Sequence, residues 1–427
     1  MTDAGRPDRR VSSRSMAIAA FSTVVEWYDF TLYLYLATVL SRVFFGDGPA
    51  SLITALAGFA VTYALRPVGA VVFGHIGDRH GRRRAMLLSM ALMTGAMLAT
   101  ALLPTREQIG PAAGWMLLLL RGVMAFSVGG EYTGVVAYMM EGAPRRRRGL
   151  VTSSASAASE VGGLLAVGAA ALTVGTMDVA DLDAWGWRIP FLFGAVLAGG
   201  VLFARSSMQE SPEFERQQAA GAVPANPLRH SLAHHRAAIA SGFAISALGS
   251  ITYYVGIVYV PVFLTTAGAI GEASALWLAT VAALIVIGVT PLTGLLSDRL
   301  GRRPVLVLLA GSGIVLPVGM FVLMSGGSLL HALTGAAVLA CLGGAVSAVG
   351  AVATAEQFPG EGRLTGLALG ATTATAIFGG LTPLLAQLLV QRTGWASMPG
   401  VMIAVVALCV LPVLLTMPET RPGDAGS

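Results

Sequence analysis

Six ionisable side chains stand inside long apolar stretches of the sequence: Glu26, Asp29, Arg66, Arg121, Glu131 and Glu160. A charged residue at the centre of a membrane helix costs about 2.5–3.5 kcal/mol on insertion scales, so each is expected to face a watery cavity or an opposite charge. Glu26 and Asp29 sit three residues apart in VVEWYDFTLY (24–33) and share one helical face with Tyr33. Desolvation penalises a charged carboxylate, which can make such an acid a reversible proton carrier. Glu26, Asp29, Glu131 and Glu160 are therefore the candidate proton-coupling groups. Arg66 and Arg121 are candidate substrate ligands, because a guanidinium matches a carboxylate bidentately; pairing of Arg121 with an intramembrane acid is the structural alternative. Glu131 is not the expected partner, since ten residues separate the two, or about 80° around and about 15 Å along a helix. Trp27, Tyr28, Tyr253 and Tyr254 offer ring faces for a quaternary ammonium, or serve as ordinary packing.

The elements that must position these groups are membrane helices. Of 427 residues, 55% are hydrophobic and 11% charged, with mean hydropathy +0.74, whereas soluble domains are about 25% charged. About 20 apolar residues cross the hydrocarbon core, and about twelve such stretches occur: 16–40, 52–74, 85–104, 112–140, 150–175, 189–205, 237–266, 273–296, 304–325, 329–355, 364–391 and 398–417. An all-α membrane protein is expected. The 53 glycines fit close helix contacts, as at Gly130 and Gly134 or at Gly362, Gly366 and Gly370. Cys341 and Cys409 lie in apolar segments and are read as small core residues, not as a disulfide.

Every one of the 27 basic residues counted with lysine is an arginine. If the N-terminus is cytoplasmic, alternate loops hold Arg79, Arg82, Arg83, Arg84, Arg145 to Arg148, Arg205, Arg216, Arg229, Arg236, Arg299, Arg302, Arg303 and Arg363, while the outer loops hold only Arg42, Arg106, Arg188 and Arg392. That asymmetry predicts an even number of crossings with both termini in the cytoplasm of a plasma-membrane protein. The net charge of +5 is then explained by anchoring in the lipid bilayer and calls for no nucleic acid.

One expected cytoplasmic loop reads GHIGDRHGRRR (74–84) and another GLLSDRLGRRP (294–304), with their aspartates 220 residues apart at Asp78 and Asp298. EGAPRRRR (141–148) and EQFPGEGR (356–363) repeat in the same order, 215 residues apart from Glu141 to Glu356. Two pseudo-symmetric six-helix bundles follow, over 1–205 and 237–427, joined by a cytoplasmic linker at 206–236 in which Ser211-Pro212-Glu213 starts a short helix. Such halves suit a transporter that rocks around a site at mid-depth. Gly74, Asp78, Arg79, Gly81, Arg82, Arg83, Glu141 and Arg148 are assigned to the conformational gate, with Asp298, Arg299, Gly301, Arg302, Glu356 and Arg363 from the second half. Asp78 is suited to accept from a helix N-terminus or to pair with an arginine. All six of the ionisable residues well inside the spans belong to the first half, and the second-half spans hold none apart from His331 at the end of one, so the second half is expected to supply aromatic and hydroxyl surface. His230 and His234 read as solvated linker residues and not as metal ligands. No catalytic constellation, phosphate-cradling loop or zinc spacing occurs, so neither an enzyme nor a cofactor is expected, the proton being the coupling ion.

The arginine-rich loops resemble the signature between helices 2 and 3 of the major facilitator superfamily. EWYDF (26–30), RPVG (66–69), FSVGGEYTG (126–134), WGWRIPF (185–191) and ESPEF (210–214) resemble the metabolite:H+ symporters within it, over almost the whole chain. FSVGGEYTG, TYY (252–254) and GLTP (380–383) are most similar to proline/betaine transporters. The resemblance implies the major facilitator fold and proton symport of a small zwitterion or carboxylate, with Glu26, Asp29 and Glu131 at family acid positions and Arg66 and Arg121 at basic ones. Ser22-Thr23 stands where the family usually has Gly-Asn, and Glu160 is an extra acid. Uptake by a functional monomer is the expectation; proton-driven export of drugs or metabolites is the alternative.

Overall fold

The computed structural model describes residues 12–46, 51, 54, 55, 58, 63–223, 225–267, 270–359 and 361–420, and no strand occurs among them. The principal helices are α1 (Ser13–Tyr35), α2 (Arg66–His80), α3 (Arg82–Ala101), α4 (Ala112–Gly142), α5 (Arg145–Thr176) and α6 (Val179–Ser206) in the first half. The second half has α7 (Arg236–Val258), α8 (Glu272–Leu300), α9 (Arg302–Met324), α10 (Leu329–Glu356), α11 (Arg363–Thr393) and α12 (Met398–Thr416). Among the described residues ten helices, α3 to α12, are long and apolar enough to cross a membrane. The span expected at 52–74 falls largely outside the described residues before Tyr63. The linker helix at Pro212–Ala219 starts as its sequence dictates, with Ser211 Oγ accepting from the Phe214 N–H at 3.0 Å.

Glycine decides how closely α2 meets α4. A methyl group at Gly69 would lie 1.8 Å from the Phe126 carbonyl oxygen, and one at Gly129 would lie 2.0 Å from that of Arg66. RPVG and the GG of FSVGGEYTG are thus the two sides of one backbone contact, and it fixes where Arg66 starts α2. The core of the first half gathers Tyr28, Leu32, Tyr33, Phe44, Trp187 and Phe191. A second apolar cluster takes residues from both halves, including Met86, Val135 and Tyr138 with Val352, Phe358 and Leu364.

The halves meet where α5 lies along α8, where α2 meets the start of α11, and where α4 and α5 touch α10. At the α5–α8 crossing a Cβ on Gly149 would come within 2.4 Å of the Gly294 carbonyl oxygen, and one on Gly294 within 2.5 Å of that of Gly149. Backbone rests on backbone there. Cys341 and Cys409 correct the sequence reading: both are free and exposed on the outer faces of α10 and α12, because a helix wrapped in lipid is apolar all round and hydropathy alone does not tell its core face from its outer one.

Candidate functional site

A cavity of about 180 Å³ lies between the two halves. The first half lines it with Glu26 and Trp27 of α1, Tyr63 and Arg66 at the start of α2, Tyr132 of α4, and Ser156, Ser159 and Glu160 of α5. The second half contributes Ser250, Tyr253, Tyr254, Ser347 and Thr375, but no acid and no arginine. The Ser250 hydroxyl donates to Thr375 Oγ1 at 3.0 Å. At Tyr254–Val258 the α7 backbone shifts to π-helical hydrogen bonding, a distortion frequent at functional sites.

Arg66 is seated between rings, its guanidinium carbon 4.7 Å from the Phe30 centroid and 4.3 Å from that of Tyr63. It donates to Tyr63 Oη at 3.4 Å, and among the described residues no acid lies within ion-pair distance of it. A second pocket of about 30 Å³, room for one or two waters, adjoins the cavity at Glu26, Tyr63, Arg66 and Val128 and reaches Asp29 and Arg121. Glu26 and Asp29 are buried, each with one carboxylate oxygen that has no hydrogen-bond partner. Arg121 donates from Nη2 to Asp29 Oδ2 at 2.5 Å and lies 5.1 Å from the Tyr33 ring centroid. The i, i+3 face of α1 therefore grips Arg121, the structural alternative considered above, and Arg66 is the arginine on the large cavity.

Glu131 stands elsewhere. It is held by Arg205, which is fully buried and bonds both of its carboxylate oxygens, Nη1 meeting Oε2 at 3.1 Å. Ser89 adds a hydrogen bond at 2.6 Å, while Arg205 also donates to the Met86 carbonyl at 2.6 Å and to Ser22 Oγ. Assigning Arg205 to a cytoplasmic loop is thus corrected. It ends an apolar span, where hydropathy cannot distinguish an arginine that snorkels to the interface from one that turns inward to an acid. Ser22, one of the two residues that depart from the family pattern, is its hydroxyl partner.

Glu160 is 8% exposed and accepts from Tyr253 Oη at 2.5 Å, linking α5 to α7 across the cavity. Trp27 meets Tyr253 edge to face with centroids 5.6 Å apart. Tyr28 is not part of this group. It is fully buried in the first-half core and donates to the Pro190 carbonyl at 2.8 Å, since neighbours on a helix point about 100° apart. Tyr63 went unremarked in the sequence, although it shares a helical face with Arg66 three residues on; its hydroxyl lies 2.5 Å from that of Tyr254.

The repeated loops form two matching networks at one end of the molecule. Asp78 pairs with Arg82 at 2.7 Å and accepts from the Leu364 and Thr365 N–H groups at 3.2 and 2.8 Å, at the N-terminus of α11. Asp298 pairs with Arg302 at 2.8 Å and accepts from Gly149 and Leu150 at 2.8 and 2.9 Å, near the start of α5. Each half thereby caps a helix of the other. Glu141 joins Arg82 at 3.3 Å to Arg363 at 2.6 Å; Glu356 joins Arg302 at 3.1 Å to Arg148 at 3.9 Å. Gly74 is packed against the Leu364 backbone. Gly81 and Gly301 both turn at φ 104°, a left-handed conformation that favours glycine. Behind those turns, Glu210 accepts from the Arg82 N–H at 2.9 Å and Glu419 from that of Arg302 at 2.9 Å. Arg79 and Arg299 remain exposed outside both networks, and Arg83 donates to the Ser206 carbonyl.

Two helical halves around a charged cavity, closed at one end by reciprocal helix caps, define a two-bundle membrane transporter. The chain belongs to the Major Facilitator Superfamily, whose profile matches residues 16–343 and 269–427. It is 33% identical over 415 residues to the ectoine/proline transporter ProP of Corynebacterium glutamicum, covering 93% of this chain and 82% of that one. It is likewise 33% identical over 365 residues to the alpha-ketoglutarate permease of Escherichia coli, covering 85% and 84%. The proton:xylose symporter XylE has the same fold, with a TM-score of 0.76, 21% identity and 96% of each chain covered. Relatives of this family are transporters and not enzymes, and the likeness to proline/betaine-type transporters extends over nearly the whole chain.

Proposed function

We propose that this protein takes up a small organic solute, either a zwitterion such as proline or betaine or a small carboxylate, together with a proton. The observation that carries the reading is Arg66: it faces the cavity without an ion pair, beside the buried acid Glu26. A solute carboxylate seated on Arg66 brings a second negative charge to Glu26. Two like charges about 6 Å apart repel by roughly 3 kcal/mol at an effective dielectric constant of about 20. Solute therefore binds best when Glu26 is neutral, and by reciprocity the proton binds best when solute is present. That linkage is symport. Asp29, across the small pocket and already paired with Arg121, supplies a second carboxylate on the path.

In this reading the arginine-rich end is cytoplasmic, as are both termini, and the protein works as a monomer in the cytoplasmic membrane. Residues 1–205 and 237–427 move as two bodies joined by 206–236. With the reciprocal caps intact the cavity communicates with the outside; their rupture opens it to the cytoplasm.

The test is accumulation of labelled solute in proteoliposomes. One proton entering down about 100 mV supplies about 2.3 kcal/mol, so one-to-one coupling to a neutral or zwitterionic solute supports somewhat under fiftyfold accumulation. A protonophore is expected to abolish it. Glu26→Gln is expected to hold accumulation near the equilibrium ratio while labelled solute still exchanges. Accumulation that survives both treatments would rule out proton coupling through Glu26.

A further inference from the structure

We infer that Glu160 receives a positively charged head group of the solute, so that the transported class carries a cation as well as an anion. This rests on the reading of the central cavity as the solute site, and it chooses between the two solute classes left open there. The other three acids within the apolar spans of the first half each answer to an arginine: Glu26 shares the small pocket with Arg66, Asp29 pairs with Arg121 and Glu131 with Arg205. Glu160 does not. Among the described residues no basic group lies within ion-pair distance of it, and its hydrogen bond comes from the neutral hydroxyl of Tyr253. That bond occupies Oε1, no described residue bonds Oε2, and the side chain lines the cavity. A carboxylate removed from water without a counter-charge is unfavourable, and a bound cation relieves it.

The neighbouring surface suits such a cation. Trp27, Tyr253 and Tyr254 all line the cavity, with 5.6 Å between the rings of Trp27 and Tyr253 and 5.5 Å between those of the two tyrosines. Ring faces attract an alkylated ammonium, which cannot donate the hydrogen bonds that a primary amine would. Arg66 on α2 is the opposite pole, so the cavity itself is dipolar: a guanidinium from one helix, and a carboxylate with aromatic walls from two others. A dicarboxylate would satisfy only the first.

Two probes of nearly one shape separate the possibilities. Glycine betaine and tert-butylacetate differ in having nitrogen or carbon at the trimethylated centre, and so in the positive charge alone. The wild-type protein, purified and whole, is expected to bind glycine betaine roughly tenfold or more tighter than tert-butylacetate. Glu160→Gln should remove that preference by weakening glycine betaine only, its unchanged affinity for tert-butylacetate showing that the cavity is intact. Tyr253→Phe, which keeps the ring and the carboxylate, should retain the preference. Equal binding of both probes by the wild type, a preference that persists in Glu160→Gln, or equal loss of both probes in a variant that melts normally would overturn the assignment. Binding of α-ketoglutarate but of neither glycine betaine nor proline would also overturn it while leaving solute symport standing. Failure to bind or accumulate any of the three would overturn both.

Discussion

Arg205→Met is expected to lower the stability of the first bundle by about 3–5 kcal/mol, the usual consequence of leaving a buried charge without its partner. Arg205 and Glu131 are both almost fully buried, and the arginine additionally gathers Ser22 from α1 and the Met86 carbonyl from α3. Its loss strands Glu131 with only the Ser89 hydroxyl. Glu131→Gln should be damaging for the mirrored reason. The double variant Arg205→Met/Glu131→Leu removes both charges and fills the site with apolar volume, so it should recover most of the stability, as exchanges of buried ion pairs for hydrophobic residues often do. Melting in detergent, followed by light scattering, reads out all three. The double variant also decides what Glu131 does. If the pair is structural, its proteoliposomes accumulate solute and remain sensitive to a protonophore; if accumulation is lost in a protein of recovered stability, Glu131 carries the proton and the assignment to Glu26 is wrong.

Much of this arrangement is legible in the sequence, because charge in an apolar span is costly enough to signal itself. That cost alone singles out Glu26, Arg66 and Glu160, and all three line the cavity. The aspartates of the repeated loops were legible for a different reason: a motif present twice at one spacing must do the same thing in each half. What stayed hidden depends on which face of a helix turns where. Hydropathy places Glu131 in lipid as surely as Glu26, yet only packing shows that α6 brings Arg205 to the former and that an open cavity adjoins the latter. Tyr28 and Trp27 are equally aromatic and adjacent, and the 100° between them separates core from cavity. Cys341 and Cys409 fail in the same way, since apolar neighbours are found on the lipid side as well as inside.

Asp78→Asn and Asp298→Asn are expected to open the arginine-rich end, singly in part and together almost fully. Each aspartate accepts two backbone N–H groups from the opposite half while paired with an arginine of its own. Asparagine offers one acceptor oxygen and turns an amide donor toward N–H groups that are themselves donors. Charge-assisted hydrogen bonds contribute about 1.5–3 kcal/mol each, so about 2–4 kcal/mol of closing free energy should be lost per site, and 1.4 kcal/mol is a tenfold change in an equilibrium. The sites lie at different interfaces, α2 with α11 and α5 with α8, so their effects should add. Neither half should melt for want of a partner, because Arg82 keeps Glu141 and Arg302 keeps Glu356. Arg79 and Arg299, exposed at this end and outside both networks, are suitable labelling positions once Cys341 and Cys409 are replaced by serine. Spin labels there should report one short distance in the parent protein, a mixture in each single variant and a long distance in the double. A double variant that keeps the parent distance would mean that the aspartates do not hold the end shut, and the backbone contact of Gly149 with Gly294 would then be the element to break.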